Sequence, residues 1–163
     1  MDSTILLASA GWILALTQFI FTLRITLRKN EDELLEKTLG YFERGMLART
    51  IGISLVEGIW LKKKKNLDII VPVLNSQLRF LLTEAENYEP EERNAIRLFF
   101  LLEKCLPFAA DSLLEIAEAQ ESIMSGARSQ KKGVLGPITL KAWYERLGGD
   151  GEMFDAETKK TPR

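Results

Sequence analysis

The chain has 163 residues, with 23 acidic side chains, 22 basic ones, a single cysteine and no histidine. Without histidine there is no Ser-His-Asp or Cys-His nucleophile and no histidine zinc site. Cys105 has no partner for an internal disulfide, so nothing requires an oxidising compartment. It sits among Leu101, Leu102 and Leu106 and reads as core. The phosphate-cradling glycine loops, the C-x-x-C pair and the G-x-S-x-G elbow are all absent. The carboxylate pairs Glu84/Glu86 and Glu91/Glu92 fall in exposed helix ends and turns, with no sign of a shared buried pocket. Asp111, Glu115 and Glu118 follow i, i+4 and i+7, an acidic ridge expected to be a solvated face. No second acidic helix offers the other half of a metal site. The reading is no catalytic residue, no metal, no cofactor and no enzyme.

The most informative polar positions lie elsewhere. Thr4, Ala8, Gly11, Ala15, Gln18 and Thr22 recur at steps of four and three. On a helix they fall within about 80° of one another. Around them the run from Thr4 to Leu23 is 20 residues without a charge or a proline. At 1.5 Å per residue it spans ~30 Å, the thickness of a bilayer's hydrocarbon core. The expectation is a single transmembrane helix with a small-and-polar face. Small residues let helices approach closely in lipid, and polar groups hydrogen-bond across the contact. An amide such as Gln18 is costly there unless paired. The stripe therefore predicts a packing face for another copy or another membrane protein, or the lumen of a narrow pore. A cleaved signal peptide and a buried core helix compete as readings of the run, and chance alignment competes as a reading of the stripe.

Arg24, Arg28 and Lys29 follow the run and predict a cytoplasmic C-terminal side, with the N-terminus outside. Lys62, Lys63, Lys64 and Lys65 form a second basic cluster. It suits either a helix C-terminus, where cations complement the dipole, or anionic lipid headgroups. A phosphate-rich ligand is a third reading.

The elements that position these residues all read as helices. Asn30 is a candidate N-cap before Glu31 and Asp32, although the helix could also run straight on from the span. Residues 46–61 hold Arg49 and Glu57, too short and charged for a second span, and read as a buried helix or an interfacial one. Leu67, Ile70, Val71, Leu74, Leu78, Leu81 and Leu82 share one face, with Pro72 marking a start or a kink. Pro90 opens the next helix, and Pro107 ends it or bends it into the one after. Residues 108–124 place Leu113, Leu114, Ile116, Ala117 and Ile123 as the apolar set. The only β-leaning run, Ile69 to Val73, contains a proline.

The fold expectation is all-α: one N-terminal transmembrane helix (1–29), then a cytoplasmic antiparallel helical bundle (30–124). A linker (125–136), a short amphipathic helix (137–147) and a disordered tail (148–163) follow. Leu140, Trp143, Tyr144 and Leu147 share one side of that short helix, which could dock back on the bundle, bind a partner groove or touch the membrane.

A net charge of −1 argues against nucleic acid as a partner. The expected partners are membrane lipid, further copies of the chain and a cytoplasmic protein; the expected location is the inner cell membrane. The layout is similar to that of small bacterial membrane proteins, some accessory or assembly factors and others membrane-perturbing effectors of antiviral defence. The function expected is a membrane-anchored interaction or assembly protein. A pore-forming effector subunit and a soluble bundle with a buried N-terminal helix are the alternatives.

Overall fold

Apolar spacing of three and four residues drives this chain into helices, and among the described residues there is no strand. The computed structural model describes residues 3–85, 89–129 and 135–159, with residues 3–15 and 159 described as backbone only. It divides into two units, Met1–Lys37 and Thr38–Arg163. Helix α1 runs Ser3–Glu43, so the division falls inside it. Asn30 is therefore not a helix start. Residues 24–36 contain no glycine or proline, and nothing stops the helix from propagating.

In the second unit α2 (Met46–Leu55) passes through a π turn (Val56–Trp60) into the short α3 (Leu61–Lys63). Helices α4 (Leu67–Thr83), α5 (Glu89–Cys105) and α6 (Ser112–Arg128) complete the bundle, and a 3-10 turn (Leu106–Phe108) follows α5. Helix α4 is central, packed on both α5 and α6. All seven of its predicted apolar positions are buried. Pro72 lies inside the helix, which already begins at Leu67. The bundle class expected from the sequence is thus observed, and residues 46–61 contribute buried Ile53, Val56 and Trp60 to it. The end of α1 joins this core: Phe42 is buried, and Trp60 Nε1 donates to Thr38 Oγ1 at 3.2 Å.

The close approach of α6 to α4 depends on one glycine. A Cβ at Gly126 would stand 2.8 Å from Leu82 Cβ, so the contact of α6 with α4 has no room for a side chain.

The C-terminal region differs from expectation. Helix α6 continues to Arg128, into the segment expected to be linker, and residues 130–134 lie outside the described ones. Helix α7 (Pro137–Arg146) is followed by α8 (Gly151–Lys159), where disorder was expected. Gly148, at φ +84°, lets the chain reverse: Gly148 N–H bonds the Glu145 carbonyl and Gly149 N–H the Tyr144 carbonyl, a Schellman end. Phe154 is then buried against Tyr144 at 5.5 Å between ring centroids. Ion pairs Lys141–Asp155 and Arg128–Glu157 flank it. One aromatic and two charge pairs hold a segment whose composition reads as disordered. Residues 160–163 lie outside the described ones.

Candidate functional site

In the first unit the polar stripe is only partly visible. The side chains of Thr4, Ala8, Gly11 and Ala15 lie outside the described residues; Gln18 and Thr22 are described and exposed. Thr26, four residues further on and missed by the sequence reading, continues the same line and donates to the Thr22 carbonyl at 3.0 Å. The remaining faces carry Leu16, Phe19, Ile20, Phe21, Leu23, Ile25 and Leu27, all between 44% and 66% exposed. Arg24 and Arg28 are exposed on one side. Lys29 lies apart from them and pairs loosely with Glu33 at 3.9 Å. Among the described residues no helix is long and apolar enough to cross a membrane. More than half of the run from Thr4 to Leu23 lies where only backbone is described.

In the second unit Lys62, Lys63, Lys64 and Lys65 are all exposed. The backbone holds them in a tight helix end: Lys64 N–H bonds the Leu61 carbonyl at 3.2 Å and Lys65 N–H the Trp60 carbonyl at 3.3 Å. Lys64 adopts φ +50° where glycine is usual, a conformation costing about 1–2 kcal/mol for a residue with a Cβ. Its ammonium stands 4.7 Å from the centre of the Phe108 ring.

A buried charge cluster joins α2, α4 and α5, and the sequence reading did not identify it. Arg49 donates from Nε to Gln77 Oε1 at 2.9 Å and from Nη1 to Glu91, with its guanidinium 5.2 Å from the Phe80 ring centre. Asn94 Nδ2 reaches Glu91 and the Met46 carbonyl, both at 3.2 Å, and Thr50 Oγ1 lies 2.9 Å from Asn94 Oδ1. Arg49, Asn94 and Thr50 each face an acceptor within the cluster.

Of the acidic ridge of α6, Asp111 and Glu118 are exposed as expected, and only Glu115 departs from a solvated face. Asp111 caps the helix, accepting from Leu114 N–H at 3.1 Å. Glu115 is buried because Asn75 Nδ2 donates both to its carboxylate at 2.6 Å and to its carbonyl at 3.0 Å. Asn75 Oδ1 is buried without a hydrogen-bond partner beside a groove of about 270 Å³ that also touches Arg79 and Glu118. Among the described residues no group of three or more Cys, Asp or Glu side chains could hold a metal ion.

The face of α7 offered for partner docking is spent inside the chain. Leu140, Trp143 and Tyr144 are buried, with Leu147 half-buried. Trp143 stacks on Phe99 at 4.2 Å between centroids and 2° between planes. Arg146 bonds Glu103, which raises the guanidinium's already high pKa. The amphipathic spacing was legible; its acceptor, a flat aromatic surface on α5, was not.

No protein-family model, no curated protein and no solved structure matches this chain.

Proposed function

We propose that the chain is a membrane-anchored helical assembly protein. Its N-terminal helix sits in a bilayer and self-associates along the stripe of Thr4, Ala8, Gly11, Ala15, Gln18 and Thr22. Its bundle lies on the cytoplasmic side, behind Arg24, Arg28 and Lys29. The proposed role is binding and assembly rather than catalysis.

One observation carries this reading. Phe19, Ile20 and Phe21 point about 100° apart on their helix, and all three are exposed. A helix that is apolar on nearly every face is stable in a protein core or in lipid, not in water. Fully burying one such side chain contributes about 1.5–3 kcal/mol. Gln18, Thr22 and Thr26 form a polar arc on this helix that suits contact with another helix.

The test is reconstitution of the full chain with phosphatidylcholine vesicles, followed by flotation, alkaline-carbonate washing and cross-linking. The expected result is carbonate-resistant flotation with cross-linked oligomers, and fewer oligomers for Gln18→Leu with flotation unchanged. A chain left in the soluble fraction overturns the anchor. Unchanged cross-linking in Gln18→Leu overturns the stripe as the interface.

A further inference from the structure

The lysine loop does not stand by itself. Helix α4 begins at Leu67, α5 ends at Cys105 and α6 begins at Ser112, so residues 62–66 and 106–111 close the same end of the bundle. The Lys64 ammonium over the Phe108 ring joins the two segments. At this end four large apolar side chains are exposed: Phe108 at 42%, Ile69 at 47%, Leu114 at 53% and Leu113 at 79%. Sequence periodicity assigns Leu113 and Leu114 to the core, but the inner face of α6 is made by Glu115, Ala119, Ser122 and Ile123 instead. Over residues 62–69 and 106–114, four lysines stand against Asp68 and Asp111, which leaves two positive charges.

We infer that this end of the bundle is a second, peripheral membrane contact that docks on an anionic lipid surface. Phe108, Leu113 and Leu114 enter the headgroup layer, and Lys62 and Lys64 meet lipid phosphates. Basic side chains beside protruding aromatic and leucine side chains are the combination that binds interfaces. Each lysine near an anionic membrane strengthens attachment roughly fivefold. The Leu113 and Leu114 side chains project rather than line a groove, which suits a soft lipid surface better than the pocketed anchor sites of protein interfaces. The inference rests on the anchor reading, which brings the bundle to the bilayer.

The experiment uses the full chain carrying Leu113→Cys, labelled with an environment-sensitive fluorophore; native Cys105 is buried. Glu84→Cys, at the far end of α4, is the control, about 25 Å away along the helix axis. Each is reconstituted in phosphatidylcholine vesicles with or without phosphatidylglycerol, and an aqueous quencher is added. The expected result is a blue-shifted, protected label at position 113 in anionic vesicles only, with the label at position 84 exposed in both. Lys62→Gln/Lys64→Asn should lower the ratio of protected to exposed label about 25-fold, at fivefold per lysine; asparagine tolerates the left-handed backbone at position 64. Equal exposure of the 113 label in both vesicle types overturns the inference. So does protection by soluble polyglutamate in neutral vesicles, which would assign the surface to an acidic protein. Flotation separates the two readings. A chain that floats with neutral vesicles but keeps its 113 label exposed in anionic ones retains its anchor and lacks this contact. A chain captured only by anionic vesicles, with its label protected, has this contact and no anchor.

Discussion

Arg49 and Glu91 lie 42 residues apart in sequence and form an ion pair with side chains only 5% and 13% exposed. Removing one partner of a buried pair strands the other charge and costs about 3–5 kcal/mol. Arg49→Met is expected to destabilise the fold by that amount in urea denaturation. Adding Glu91→Gln should recover a substantial part, giving a double-mutant coupling well above the ~0.5 kcal/mol seen between independent sites. Strict additivity would mean that the pair contributes nothing jointly.

Gly126→Ala tests the close approach of α6 to α4. In an open helix the change would stabilise by about 1 kcal/mol. Here the new methyl meets Leu82 Cβ at 2.8 Å and the Leu82 carbonyl at 3.3 Å. Overpacking of this kind costs about 1–3 kcal/mol, so a net loss of up to roughly 2 kcal/mol is expected. Gly58→Ala, whose methyl meets nothing within 4 Å, is the contrasting variant and should not destabilise. The same sign for both would show that the helices can separate freely.

Trp143→Ala removes the ring stacked on Phe99. Truncating a buried aromatic costs about 3–5 kcal/mol. Because α8 packs on α7 and α6, the loss should loosen the whole C-terminal region. Limited trypsin digestion should then cut at Lys141 or Arg146 well before the bundle is cleaved. Phe154→Ala should expose α8 while leaving α7 docked. Simultaneous cleavage throughout the chain would show instead that α7 and the bundle unfold as one unit.

Burial pushes the Cys105 thiol up to about 12 from its ordinary 9.0, against a smaller opposing pull from Lys104. A group whose folded pKa is raised contributes stability below its unfolded pKa and loses it as pH climbs toward the folded value. The fold should therefore weaken between about pH 9 and 12. Lys141, raised by its hydrogen bond to Asp155, adds loss in the same direction, but only above 10.5. Cys105→Ala should flatten the fall between pH 9 and 10.5 in denaturation midpoints. Iodoacetamide at pH 8 should alkylate Cys105 at least ~100-fold more slowly in the native chain than in urea, since the thiolate is the reactive form. Equal rates would place the thiol at the surface.

Much of the fold was legible in the residues themselves. The spacing from Leu67 to Leu82 specifies a helix buried on one side, because only a 3.6-residue repeat aligns those side chains. The run from Thr4 to Leu23 contains no proline, and it lies within one helix, Ser3–Glu43. The end of the short helix near residue 147 was legible, because glycine follows at 148 and 149.

Tertiary structure decided the rest. Periodicity ranks positions by side-chain type and cannot see what faces them. Helix α6 turns Leu113 and Leu114 outward and Glu115 inward because Asn75 supplies hydrogen bonds that repay burial of the carboxylate. Arg49 is inside for the same reason: Gln77 and Glu91 arrive from other helices to meet it. Helix α8 forms because Tyr144 and two cations stand where Phe154, Asp155 and Glu157 can reach them. The joining of Phe108 to the lysine loop likewise comes from two chain segments more than 40 residues apart, which only the bundle's topology brings to one end. Local patterning thus determined most of the helical segments, while the partners available across helix contacts determined α8 and which side chains each helix buries.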